Sequence, residues 1–113
     1  MNVDYRDEGK TAVMRPEGSL NAAVVDERQN EWFSWLKEHE EVSHIVVDLQ
    51  DVDFVDSSGL GLLIALLKRA AQRDGDVKLA GLQKNVRMVF EITRTYKVFD
   101  IYDSVEEALG DNG

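Results

Sequence analysis

A carboxylate, two adjacent hydroxyls and a glycine stand in a row at Asp56-Ser57-Ser58-Gly59, inside the run Phe54-Val55-Asp56-Ser57-Ser58-Gly59-Leu60-Gly61. The residues on either side say where in a fold that row sits. Upstream, His44-Ile-Val-Val-Asp-Leu49 is a short apolar, β-branched run bounded by polar residues, the pattern of a buried strand. Downstream, Leu60, Leu63, Ile64 and Leu67 recur at i, i+3, i+4 and i+7, the core-facing stripe of a helix that runs to about Arg73. The row therefore occupies a turn from strand into helix. The first N–H groups of a helix have no partner within it and the macrodipole is positive there, so Ser or Asp side chains cap such a start and a phosphate group is well placed beside it. From the turn alone, Ser57 or Ser58 is explained first as a helix cap, and Asp56 as a cap or an acceptor for loop N–H groups.

Catalysis by a serine on its own chain needs a base, and little here supplies one. The turn is not Gly-x-Ser-x-Gly, and the two histidines are His39, in the charged segment Lys37-Glu-His-Glu-Glu41, and His44, at a strand start. No catalytic residue is assigned, and hydrolysis through Ser57 is not expected. Gly59 and Gly61 match half of a dinucleotide fingerprint, but Ile64 stands where its third glycine belongs, and no glycine-lysine phosphate loop is present, so no cofactor is expected. Asp51, Asp53 and Asp56 lack the glycine and terminal glutamate of a calcium loop, so no metal is expected either. The serine then reads as a substrate for another protein's chemistry, and the chain as a non-enzyme.

At 113 residues the chain is read as one domain, 1–113 with a polar tail at 110–113, and its 43% hydrophobic residues suffice for a single core. It has no cysteine, no apolar signal segment and no stretch long enough for a membrane span, which predicts a cytoplasmic protein without membrane insertion. With 22 acidic against 13 basic residues the net charge is −9, which repels phosphate backbones and argues against direct nucleic-acid binding.

Strand and helix patterns alternate along the rest. Val3–Arg6 and Thr11–Arg15 predict a hairpin around Glu8-Gly9, and Asn21 can cap a helix over roughly 22–40 with Val25, Trp32 and Leu36 on one face. Val77–Ala80 is a further strand. Val86, Val89, Phe90 and Thr93 mark a helix, Phe99–Tyr102 a last strand, and Ser104-Val-Glu-Glu107 a capping box opening a terminal helix. Trp32 and Trp35 read as core and partly buried surface, and Leu62 and Leu66 as either plain burial or a partner-facing patch. The expected class is α/β: a mixed, mostly parallel sheet of about four to five strands with helices packed mainly on one face, and the Asp-Ser turn at the C-terminal ends of its parallel strands.

Taken in order, Gly18-Ser-Leu-Asn21, Ile45-Val-Val-Asp-Leu49, Phe54-Val-Asp-Ser-Ser-Gly-Leu-Gly61, Lys78-Leu-Ala-Gly-Leu82 and Val98-Phe-Asp-Ile-Tyr-Asp-Ser-Val-Glu-Glu-Ala-Leu109 resemble the STAS family, and within it the bacterial anti-sigma factor antagonists. The resemblance covers most of the chain. It implies that Ser57, or less favourably Ser58, accepts a phosphoryl group from a serine kinase that is also the anti-sigma factor, and that a PP2C-type phosphatase removes it. It also implies a partner-binding surface of Asp56, Ser57, Ser58, Gly59, Leu60 and Asn21, to which binding is blocked by the phosphate. The alternative within the family is an accessory subunit of a membrane transporter complex that contacts its ATPase. Two positions depart from the family pattern: Asn21 stands where many relatives have aspartate, and Ile92-Thr-Arg-Thr-Tyr96 lacks a glycine often found there.

Overall fold

The computed structural model describes residues 1–110; of the polar tail at 110–113, the rest lies outside the described residues. Along the chain run β1 (Val3–Arg6), β2 (Thr11–Met14), β3 (Gly18–Leu20), α1 (Val25–Glu38), β4 (His44–Asp48) and β5 (Val52–Val55). Then follow α2 (Ser57–Ala71), β6 (Asp76–Ala80), α3 (Lys84–Ile92), β7 (Asp100–Tyr102) and α4 (Val105–Gly110). The main sheet has the order β1-β2-β4-β6-β7. β1 is antiparallel to β2, and every other pair in it is parallel, with Ala12 opposite Ile45 and Ile45 opposite Val77.

The three central strands are covered on both faces, which is why they read as nearly continuous apolar runs. Ala12, Met14, Ile45, Val47, Val77 and Leu79 face the main core with α1, α2 and α3, while Val13, Val46 and Ala80 face the other way and pack against Ala108 of α4. Ser104 starts α4 as expected, its hydroxyl accepting from the Glu107 N–H at 3.1 Å. Trp32 and Trp35 are both buried, and the Trp35 indole donates to the Tyr5 hydroxyl at 2.9 Å.

Three local expectations need correction. Gly18–Leu20 and Val52–Val55, not read as strands in the sequence, pair in parallel as a separate small sheet, with a bulge between Gly18 and Ser19. The helix expected from 22 begins at Val25. Asn21 does cap, but it caps a preceding turn: its side-chain oxygen accepts from the Ala23 N–H at 3.0 Å and its carbonyl from Val24 and Val25. In α2 the buried face is Gly59, Leu60, Leu62, Leu63, Leu66 and Ala70, whereas Ile64 and Leu67 are only partly buried. Leu62 and Leu66 are 2% and 0% exposed, so they are core residues and no partner-facing patch.

The face is chosen by Gly59. A Cβ placed there would stand 2.1 Å from the Leu20 carbonyl oxygen, so α2 can approach β3 this closely only with glycine at that position. Arg94, after α3, takes a left-handed φ of 59°, a conformation in which a glycine would be unstrained.

Candidate functional site

The small β3–β5 sheet carries the turn. Leu20 pairs with Val55, and one residue further the Asp56 N–H donates to the Leu20 carbonyl at 3.2 Å. Asp56 then caps α2 from an extended backbone (φ −107°, ψ −172°). One of its carboxylate oxygens accepts from the Gly59 N–H at 3.0 Å, and the other reaches across to the Ala22 N–H at 3.1 Å. The carboxylate thus ties the first turn of α2 to the loop after β3. The Gly59 N–H above all, with Ala22 adding to it, holds the Asp56 carboxyl below its ordinary value against the opposing effect of its partial burial.

With the cap supplied by Asp56, neither serine performs that role, contrary to the reading from the turn alone. Ser57 is the first helical residue and is exposed; Ser58 is half-buried. Among the described residues no side-chain hydrogen bond engages the Ser57 hydroxyl. Asn21 stands half-buried in the loop that Asp56 grips, so Asn21, Asp56, Ser57 and Ser58 do come together. Gly59 is buried against Leu20 and Leu60 is 6% exposed, so these two shape the turn from beneath and present no side chain above it.

Contacts of the neighbouring residues were not foreseen from the sequence. Asp53 is exposed and its carboxylate accepts from the Ser19 hydroxyl at 3.2 Å; its backbone carbonyl accepts from the Asn85 amide of α3 at 2.6 Å. Phe54, three residues before Ser57, is 48% exposed. The β-branched and aromatic run Val52-Asp-Phe-Val55 was the available signal for the strand that carries them. The histidines stand elsewhere: His39 ends α1, with its ring 2.8 Å from the Trp35 carbonyl, and His44 opens β4 beside Asp76 at 2.9 Å. Among the described residues no three His, Cys, Asp or Glu side chains converge as a metal site, and no helix is long and apolar enough to cross a membrane. Chemically, the site is an exposed hydroxyl at the positive end of a helix, next to a carboxylate whose oxygens are engaged by the Gly59 and Ala22 N–H groups.

A family model described as the STAS domain matches residues 2–108. The chain belongs to the STAS domain family. The anti-sigma F factor antagonist of Paenibacillus polymyxa is 32% identical to this STAS chain over 66 residues, 58% of the chain and 56% of that protein, so the chain spans just over half the length of that relative. An anti-sigma-B factor antagonist of Staphylococcus aureus is 26% identical over 106 residues, 94% of the chain and 96% of that protein. Among solved structures, the anti-sigma factor antagonist SpoIIAA in its unphosphorylated form superposes with a TM-score of 0.78 at 22% identity, covering 96% of this chain and 91% of that one. SpoIIAA of Bacillus has also been solved in a phosphorylated form, which matches with a TM-score of 0.69 at 22% identity over 96% of this chain and 95% of that one. These superpositions fit the STAS fold found here: one mixed five-stranded sheet and four helices.

Proposed function

We propose that this chain is an anti-sigma factor antagonist switched by phosphorylation of Ser57. Unmodified, it binds an anti-sigma factor that is also a serine kinase, and the sigma factor held by that partner is released. Phosphoryl transfer to the Ser57 oxygen ends the binding, and a PP2C-type phosphatase restores it. The role belongs in the cytoplasm, where sigma factors act. The observation that carries the reading is the division of labour between neighbours: Asp56 satisfies the helix and loop N–H groups, which leaves the Ser57 hydroxyl exposed and unengaged. The antagonist names of the relatives support it.

The chain supplies only the oxygen nucleophile. It has no phosphate-binding loop, so the nucleotide, its metal and the base that takes the hydroxyl proton come with the kinase. A phosphoserine then adds about −1.5 to −2 charges at neutral pH, beside Asp56 and near Asp53. An interface shaped for a small neutral hydroxyl has no counter-charge for that dianion.

The test is co-purification with the cognate kinase, followed by intact mass and phosphopeptide mapping. A gain of one phosphoryl group on Ser57, abolished by Ser57→Ala and only weakened by Ser58→Ala, is the expected result. Phosphate recovered on Ser58 in the wild type would overturn the assignment. Retention of a transporter ATPase with no added phosphoryl group would favour the accessory-subunit reading.

A further inference from the structure

Among the described residues seven large apolar side chains are exposed, and five of them, Phe54, Met88, Ile92, Tyr96 and Val98, lie on β5 and on the segment from α3 to β7, with exposures from 46% to 75%. Single exposed apolar residues are ordinary on a protein surface, but a concentration on one part of it is not. The geometry of α3 explains how it arises. Val86 and Phe90 are buried on the core side, whereas Asn85, Met88 and Ile92, at i, i+3 and i+7, form a stripe on another side. Asn85 joins the start of that stripe to β5 through its 2.6 Å hydrogen bond to the Asp53 carbonyl. The next residue is the exposed Phe54, and the capping turn with Ser57 follows directly.

Charge along α3 and the segment after it runs against the rest of the chain, with the exposed carboxylates of Asp53 and Asp100 at the two ends of the patch. Lys84, Arg87, Arg94 and Lys97 against Glu91 alone give residues 84–97 a charge of +3 within a chain of −9. Arg87 pairs with Asp103 at 3.3 Å; among the described residues Lys84, Arg94 and Lys97 make no ion pair. An anionic lipid surface would attract the patch but repel the strongly acidic remainder. A protein surface with an apolar groove bordered by carboxylates complements both features. Size points the same way. A specific interface takes about 800 Å² and some 20–30 residues from each partner, built around buried apolar anchors, and the Ser57 turn alone offers one exposed serine among half-buried neighbours.

We infer that the exposed stripe of α3, with Phe54 at one end and Tyr96 and Val98 at the other, is a second contact region for the same anti-sigma factor that meets Ser57, and that this partner receives it in a carboxylate-rimmed apolar groove. The inference rests on the reading of Ser57 as partner-facing. The phosphorylation site then governs one part of the interface, and most of the apolar anchoring lies on the other.

Two variants test this against the purified anti-sigma factor that binds the unmodified wild type: Met88→Ser with Ile92→Ser, and Lys84→Glu with Lys97→Glu. All four side chains lie on the outer surface of the segment, so melting temperatures serve as the control for folding. The apolar variant is expected to lose about tenfold or more in affinity. The charge variant is expected to associate more slowly at low salt and to lose the salt dependence of the wild-type association rate. Unchanged affinity in the apolar variant would overturn the inference. So would a wild-type dimer in sedimentation that Ile92→Ser dissolves, which would make a second copy the occupant, or wild-type binding to phosphatidylglycerol vesicles that the same variant abolishes. If the wild type binds no anti-sigma factor, the functional reading falls and this inference with it. If Ser57→Asp abolishes binding while the α3 variants do not, only this inference falls.

Discussion

Gly59→Ala and Gly61→Ala differ by two positions in one helix and should change stability in opposite directions. In an isolated helix alanine is favoured over glycine by about 0.5–1 kcal/mol because it fixes less backbone freedom. Gly61 is exposed and a Cβ there meets nothing within 4 Å, so Gly61→Ala should realise that gain. At Gly59 the added carbon would stand 2.1 Å from the Leu20 oxygen and 3.0 Å from the Leu20 Cβ. Ordinary contact begins at 3.4 Å, so the helix start must retreat from β3 by 1.3 Å. The obstruction is backbone, which no rotamer change can relieve. Forcing a methyl into a packed site costs about 1–3 kcal/mol, and the smaller propensity gain offsets only part of that.

Thermal melting by circular dichroism reads both variants. At about 4–8 °C per kcal/mol for a domain near this size, Gly61→Ala should melt about 2–8 °C above wild type and Gly59→Ala below wild type. The retreat also moves the Asp56 carboxylate away from the Ala22 N–H, so phosphorylation of Ser57 should slow in Gly59→Ala and not in Gly61→Ala. A Gly59→Ala protein as stable as wild type would refute the account of why α2 buries the face it does.

Other outcomes follow from single features. Arg94→Gly removes a side chain from a left-handed backbone position and should raise stability by about 0.5–1 kcal/mol after allowing for the looser unfolded chain, read as a few degrees in melting temperature. Asp56→Asn should be less stable than wild type at neutral pH. Because the folded state holds the Asp56 carboxyl below its ordinary 3.8, the wild-type advantage is present above that value and fades as pH falls through the lowered folded value, so denaturant midpoints of the two proteins should converge in acid. Calorimetry with ATP and magnesium should give no tight binding to the isolated chain, since it lacks a glycine-lysine phosphate cradle.

The strand at His44, the Asp-Ser turn and the helix after it were readable because each shows the periodicity of its own element in an unbroken run. β3 and β5 were not, since three and four residues are too short to show an alternation, and β5 offered a cue in the β-branched and aromatic composition of Val52–Val55 alone. The face of α2 was misread for a different reason. Leu60-Gly-Leu-Leu-Ile-Ala-Leu-Leu67 is apolar almost all round, so several stripes fit it equally. The choice among them is made by the approach of Gly59 to Leu20, a tertiary contact that no local pattern contains. The capping residue shared this ambiguity: aspartate and serine are both good caps, and only the backbone angles at Asp56 decide which of them stands before the first helical residue.

That choice of cap bears on how a switch at Ser57 could work without unfolding its host. Were Ser57 the cap, its modification would remove the hydrogen bond that holds the helix start, and stability would change with every phosphorylation. With Asp56 holding the Gly59 and Ala22 N–H groups, the Ser57 hydroxyl contributes no bond to the fold. A charge added at the first helical position meets the positive end of the helix, a favourable effect of about 0.3–1 kcal/mol, and it also meets the repulsion of the neighbouring carboxylate. These two effects oppose each other on the fold. At a partner interface the charge is instead desolvated and unpaired, at a cost of roughly 2–5 kcal/mol, or about thirtyfold to several thousandfold in affinity. Ser57→Asp should therefore lose the anti-sigma factor while melting within a few degrees of wild type. Equal affinity for the two proteins would remove the switch, and a large fall in melting temperature would mean that the charge acts by disrupting the domain.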